Sequence, residues 1–249
     1  MNFRTEIING LTCHIADGLA EGVRPRSVVV LCHGYGAPGT DLVPLGQMLL
    51  RQPKVSATVQ FLFPEAPLSL EELGMPDGRA WWPLDMRRLQ MAAALGTFRD
   101  LRKDCPPELP VAREMLLGLL GQWSERTSVP LTSFLLGGFS QGSMLATDVT
   151  LHLDRNPAGL VVLSGTLLNE DVWRERAKHH KTLRVLQSHG TNDPILPFAA
   201  ASWLRDMLNQ SGADVEFLPF AGGHEIPHAV LDRFGTFLRE TIGDGRTAQ

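Results

Sequence analysis

Cysteine is scarce: the chain carries three, Cys13, Cys32 and Cys105. An odd, widely spaced set does not build a disulfide framework, so a reduced, cytoplasmic compartment is the expectation. Cys13 and Cys32 lie in strand-like runs and are expected to be small buried residues. A basic excess is also missing. Lys and Arg number 23 against 27 Asp and Glu, giving a net charge of −4 and a pI near 6.1. With both signs interspersed there is no electrostatic footprint for nucleic acid. No apolar run approaches the ~20 residues that span a bilayer, so stable membrane insertion is not expected. The opening residues Met1-Asn-Phe-Arg-Thr-Glu6 lack an apolar h-region, so no secretory signal is expected there. Repeats, low-complexity tracts and long linkers are absent as well.

What is present is ample core material, 43% hydrophobic residues over 249 positions, arranged as alternating strands and helices. Phe3–Ile8 and Leu11–Ala16 flank Asn9-Gly10, a pair suited to the φ > 0 positions of a type I′ hairpin turn. Val28–Cys32, Val59–Phe63, Phe134–Leu136, Gly159–Leu163, Leu183–Ser188 and Val215–Phe220 are short continuous apolar runs. Such runs suit strands buried on both faces. Helical spacing marks Leu42–Leu50, Leu84–Leu101, Val111–Trp123, Met144–Leu153, Asn169–Lys178 and Ala199–Asn209, and a closing helix carries Val230, Phe234, Phe237 and Leu238. The polar tail Gly243–Gln249 is expected to fray. The order predicts an α/β fold: a mostly parallel central sheet with helices on both faces and an N-terminal antiparallel hairpin. Residues 1–249 read as a single domain, with its active site beyond the strand C-termini.

Segment 65–110 breaks the rhythm. Its first part is rich in proline and glycine, carries the adjacent Trp81 and Trp82, and is too long for a routine connection. Two readings stay open: a lid or substrate wall in which Trp81 and Trp82 touch substrate, or a plug in which they seal the core.

Chemistry centres on Gly138-Phe-Ser140-Gln-Gly142, a G-x-S-x-G pentapeptide between an apolar run and a helix. Glycines on both sides of a serine permit a strained strand-to-helix turn that lifts the hydroxyl clear of the backbone. A serine needs a base, and the base needs a group to fix its tautomer. After Ser140, Asp193 and His224 each follow a predicted strand end, in the order Ser, Asp, His. All three then project from one edge of one sheet. Asn192-Asp193-Pro194 is also ordinary turn chemistry, so the ordered coincidence carries the assignment. The Gly-rich loop His33-Gly-Tyr-Gly36 exposes N–H groups after another strand end, and the amide of Gln141 follows the nucleophile. Together they suit an oxyanion hole.

Competing residues are set aside. Ser164 also sits at a strand end but lacks the glycine pair. His33 and His189 are expected to brace loops, and His179-His180 to form a solvated helix end. Asp148 is expected to face away from the site. The string His224-Glu225-Ile-Pro-His228 spells the H-E-x-x-H of zinc hydrolases. There, however, one continuous helix presents all three residues, and Pro227 is tolerated only in a first helical turn.

Leu31-Cys-His-Gly-Tyr-Gly, Phe63-Pro-Glu-Ala-Pro, Ala80-Trp-Trp, Gly137-Gly-Phe-Ser-Gln-Gly, Leu163-Ser-Gly, His189-Gly-Thr-Asn-Asp-Pro and Gly223-His-Glu-Ile occur in one order. With them the sequence resembles the phospholipase/carboxylesterase family of α/β-hydrolases, which includes acyl-protein thioesterases and bacterial carboxylesterases. The resemblance implies Ser140 as nucleophile, Asp193 as orienting acid, His224 as base, and oxyanion donors from the backbone of Tyr35 and Gln141. It implies a cofactor-free serine hydrolase acting on carboxylic esters, with thioesters and lysophospholipids as further acyl substrates. The partner is then a small-molecule acyl ester or thioester, and a homodimer stays open. The alternatives are a zinc hydrolase on His224, Glu225 and His228, and a non-catalytic ligand-binding protein on the same fold.

Overall fold

Alternation along one buried strand sets the architecture. In a computed structural model describing residues 1–85, 91 and 100–243, Ser27–Cys32 forms β3 and every residue of it is buried. Val28, Val30 and Cys32 pack into one core, Val29 and Leu31 into another, because successive side chains of a strand point to opposite faces. The strand is therefore covered twice. Truncating one of these side chains, as in Leu31→Ala, is worth about 2–5 kcal/mol of stability.

Before β3 come β1 (Asn2–Ile8) and β2 (Leu11–Asp17), paired antiparallel. Asn9 and Gly10 turn between them with φ of 49° and 77°, the positive pair that a type I′ turn requires. After β3 come β4 (Val59–Pro64), a small antiparallel ribbon of β5 (Leu68–Ser69) and β6 (Arg79–Ala80), then β7 (Phe134–Phe139), β8 (Gly159–Leu163), β9 (Arg184–Gly190) and β10 (Asp214–Phe220). Among the described residues the main sheet has eight strands in the order β1-β2-β4-β3-β7-β8-β9-β10. It is antiparallel from β1 to β4 and parallel onwards. One face carries α3 (Leu109–Thr127), α4 (Gln141–His152), α5 (Glu170–Ala177) and α6 (Phe198–Gln210). The other carries α1 (Val43–Leu49), α2 (Pro53–Ser56) and α7 (His228–Gly243). Parallel strands in register bring their C-terminal ends to one edge. Gly138 lies opposite Cys32, Phe139 opposite Leu163, Leu163 opposite Ser188, and Gly190 opposite Phe220.

Most of the helix expected over Leu84–Leu101, and residues 244–249 of the expected polar tail, lie outside the described residues. One histidine corrects the sequence reading. His179 is exposed, but His180 is only 2% exposed. Helix α5 ends at Ala177, so His180 has left the helix and turns under the chain. Its Nδ1 meets Asn156 Oδ1 at 2.8 Å and its Nε2 meets the Leu151 carbonyl at 3.2 Å. Burial pushes its pKa down.

Candidate active site

The turn between β7 and α4 packs closely against the end of β3. Ser140 has φ 54° and ψ −122°, a conformation that costs a non-glycine residue of order 1–3 kcal/mol. Its neighbours explain why glycine flanks it. A Cβ on Gly138 would run into the Cys32 carbonyl and the Gly142 backbone, and one on Gly142 into the carbonyls of Cys32 and His33. The turn is held from both sides. Ser140 N–H donates to the Leu163 carbonyl at 2.8 Å, and the Ser143 hydroxyl donates to the Ser140 carbonyl at 2.7 Å. The N-terminus of α4 starts directly behind the serine.

Asp193 follows β9 and His224 follows β10, adjacent parallel strands. Asp193 Oδ2 meets His224 Nδ1 at 2.7 Å. Its other oxygen, Oδ1, accepts the amides of Ile195 at 2.8 Å and Leu196 at 2.9 Å. The Asn-Asp-Pro turn and the acid are thus the same residue used twice: one oxygen closes an Asx-type turn, the other holds the imidazole. Burial alone would raise the Asp193 pKa. The His224 hydrogen bond and charge, with the two amides, outweigh it and hold the carboxyl below its ordinary value. With Nδ1 committed to Asp193, Nε2 is the ring nitrogen left for proton transfer. The Phe139 ring lies 4.8 Å from that of His224, tilted 49°, and limits how the imidazole turns.

Ser140, His224 and Tyr35 all line one cavity of about 760 Å³. Trp82, Leu101, Met144, Leu168 and Ile195 give it apolar walls, while Asp41, Lys103 and Glu108 add charge. The amides of Tyr35 and Gln141 have no protein acceptor among the described residues, unlike the great majority of backbone amides. The loop that carries Tyr35 is braced by His33, which is 1% exposed. His33 Nε2 accepts the Ala66 amide at 3.0 Å, so its proton sits on Nδ1, which donates to the Gly34 carbonyl at 2.8 Å. Burial, the largest influence, lowers the His33 pKa and keeps the ring neutral.

The tryptophans divide. Both are 1% exposed. Trp82 is a wall of the cavity; Trp81 is not among its walls, and its indole N–H donates to the His33 carbonyl at 2.9 Å. The competing residues fall elsewhere. Ser164 is fully buried, with its hydroxyl 3.4 Å from the Glu225 carbonyl. His189 is fully buried beneath Asp193, with Nε2 at 2.6 Å from the Leu196 carbonyl and 3.3 Å from Asp193 Oδ2. Helix α7 begins at His228, so the H-E-x-x-H string does not share a helix. Glu225 accepts the Gly223 amide at 3.2 Å, and the exposed His228 faces Asp232 at 3.5 Å. No group of three metal-ligating side chains converges among the described residues. Sequence reasoning missed the carboxamide of Gln141. It takes the Trp81 amide at 2.9 Å and gives a hydrogen bond to the Trp82 carbonyl at 2.8 Å. No local pattern announces a contact between residues 60 apart.

Residues 19–242 match the family model described as Phospholipase/Carboxylesterase. The chain is 27% identical over 237 residues to acyl-protein thioesterase 1 of Mycosarcoma maydis, covering 89% of this chain and 93% of that protein. It is 24% identical over 223 residues to the Neurospora crassa protein of the same name, covering 88% of each. Among solved structures, esterase PE8 is 28% identical with a TM-score of 0.76, covering 93% of this chain and 99% of that one. A carboxylesterase from Mesorhizobium loti shares the fold at 17% identity and a TM-score of 0.74, covering 96% and 99%.

Proposed function

The chain belongs to the phospholipase/carboxylesterase family, and from that premise we propose a serine hydrolase that cleaves carboxylic esters or thioesters through an acyl-enzyme. Ser140 Oγ attacks the acyl carbonyl carbon as His224 Nε2 takes its proton. Asp193 stabilises the imidazolium that forms. The oxyanion sits between the amides of Tyr35 and Gln141. Collapse expels the alcohol or thiol, which leaves with the proton from His224. Water then repeats the attack on the acyl-enzyme and releases the acid. The observation that carries this reading is the 2.7 Å contact between Asp193 and His224, on the cavity that also holds the strained Ser140.

The apolar walls support an acyl chain as the recognised part of a small-molecule ester or thioester. Trp82 and Leu101 on the cavity support segment 65–110 as a substrate wall. The relatives named acyl-protein thioesterase support thioesters beside oxygen esters. Cys13 and Cys32 are free and buried, which fits the reduced compartment expected from their spacing, and burial pushes the Cys13 thiol up to about 12, leaving little thiolate. Among the described residues no helix is long and apolar enough to cross a membrane.

A fluorophosphonate probe tests the nucleophile. It labels the protein at Ser140, and labelling that persists in Ser140→Ala overturns the assignment. Hydrolysis of p-nitrophenyl esters and matched acyl thioesters of increasing chain length then reads the cavity. We expect kcat/KM to rise with acyl length until the apolar walls are filled; a rate indifferent to acyl length removes the cavity as the acyl site.

A further inference from the structure

Residues 79–82 touch both halves of the proposed oxyanion hole. On the Tyr35 side, Gly36 N–H donates to the Arg79 carbonyl at 2.9 Å, and Arg79 N–H donates to the Ala37 carbonyl at 3.1 Å. Gly36 has φ 81°, a geometry that glycine adopts freely, and it follows Tyr35 directly. One step further in, the Trp81 indole N–H donates to the His33 carbonyl at 2.9 Å. On the Ser140 side the contact is made by a side chain. Gln141 Oε1 accepts the Trp81 amide at 2.9 Å and Gln141 Nε2 donates to the Trp82 carbonyl at 2.8 Å. Gln141 is fully buried, so each of these bonds is made without competing water.

The outer end of the same segment is tied down by charge. The Arg79 guanidinium pairs with Glu65 and reaches the Pro67 carbonyl at 3.5 Å. Glu65 in turn packs where a Cβ on Gly39 would sit, at the far end of the Tyr35 loop. The chain from 79 to 82 thus runs from an ion pair, past the loop that carries one amide, to the side chain of the residue that carries the other.

We propose that Arg79–Trp82 is a strap that sets the separation of the Tyr35 and Gln141 amides, with the Gln141 carboxamide as its latch and the Glu65–Arg79 pair as its anchor. Gln141 then has two separate roles: its backbone N–H faces the oxyanion, and its side chain is a positioning group. The proposal rests on the serine hydrolase reading above. Its chemistry is that of preorganisation. An oxyanion hole works when both donors lie about 2.7–3.1 Å from the transition-state oxygen, and a displacement of ~1 Å costs ~10²-fold in rate.

The test uses the full-length enzyme with a short-chain p-nitrophenyl ester and a trifluoromethyl ketone, which adds to Ser140 as a tetrahedral oxyanion. Gln141→Met keeps the backbone amide and the side-chain length but removes both latch bonds. We expect kcat to fall ~10–100-fold, KM to stay within about twofold, and ketone affinity to fall by the same factor as kcat. Arg79→Ala is expected to lose ~3–10-fold in kcat, and Arg79→Lys, which keeps the ion pair, to recover most of it. A folded Gln141→Met with wild-type kcat and ketone affinity overturns the strap. So does a fall in kcat that leaves ketone affinity untouched. Should Gln141→Met fail to fold, the part-exposed Arg79 series decides alone, and equal kcat in Ala, Lys and wild-type forms overturns it. A parent enzyme whose turnover survives Ser140→Ala instead overturns the hydrolase reading, which separates the two failures.

Discussion

Two of the buried aspartates are held in opposite ways. Asp148 is 0% exposed and Asp193 8% exposed, so each carboxylate needs compensation for lost water. Asp148, on α4, receives the Trp173 indole N–H at 2.7 Å and the Arg113 guanidinium at 3.1 Å. Arg113 is a permanent cation, so this compensation does not wait on a proton transfer, although the His152 ring also lies 3.8 Å from Asp148 Oδ2. Asp193 has two amides and two histidines, His224 at 2.7 Å and the buried His189 at 3.3 Å. None of these is a fixed charge. Its strongest partner becomes a cation only when His224 takes a proton, which in the proposed reaction is the moment Ser140 attacks. The pairing at Asp148 is structural because Arg113 completes it at rest; in the proposed reaction the one at Asp193 is chemical, because it completes itself during turnover.

Isosteric removal of charge separates the two. Asp193→Asn can still accept from the Ile195 and Leu196 amides, but it presents an N–H to His224 and favours the wrong tautomer. We expect kcat to fall by about 10⁴-fold, far out of proportion to any change in unfolding. Asp148→Asn is expected to leave kcat within about twofold, since Asp148 sits on the buried face of α4 and is not among the cavity walls. Equal losses of kcat from the two substitutions break the distinction. Stability reverses the ranking. Asp148→Ala leaves the half-buried Arg113 and the Trp173 indole N–H without an acceptor, and we expect a loss of about 3–5 kcal/mol in urea unfolding. Asp193→Ala is expected to cost less, because His189 keeps its bond to the Leu196 carbonyl, and the other partners belong to Ile195, Leu196 and His224, which line a cavity that water can enter. If Asp193→Ala is the more destabilising change, the two carboxylates share one role.

The same contrast explains what could be read in the sequence. Ser140, Asp193 and His224 were visible because each sits at the end of an apolar run. A strand's end is set by local pattern, and parallel register then aligns the ends. Gly138 and Gly142 were visible because backbone contacts with Cys32 and His33 forbid a side chain. The expectation that Asp148 faces away holds, but its partners were hidden: Arg113 and Trp173 lie 35 and 25 residues away, brought in by the packing of α3 and α5 on α4. His180 was misread for a related reason, since the residue after a helix end has no periodicity to reveal its direction. The adjacent Trp81 and Trp82 stayed undivided because they are held by long-range contacts with no sequence signature, the Gln141 carboxamide on their backbone and the His33 carbonyl on the Trp81 indole. Pattern reaches what strands and turns dictate; it stops where long-range side-chain hydrogen bonds decide.

Acid offers a finer test of the two environments. The Asp193 carboxyl is held below its ordinary value, burial working against the His224 bond and charge and the two amides. Its folded pKa therefore lies under its unfolded value of about 3.9. The sign follows: above that unfolded value the carboxylate contributes its full stability, and the contribution drains away as pH falls through the lower, folded value. Between those points the unfolded chain binds a proton that the folded one refuses, so each step toward acid weakens the fold. Asp193→Asn has no such proton to bind. We expect urea unfolding measured from pH 5 down to pH 2 to show a steeper loss in the wild type than in Asp193→Asn, with the two curves converging toward the acid end. Parallel curves over that range would mean that the His224 and amide contacts do not favour the ionised carboxyl, and the distinction between a permanently paired Asp148 and a conditionally paired Asp193 would lose its electrostatic basis.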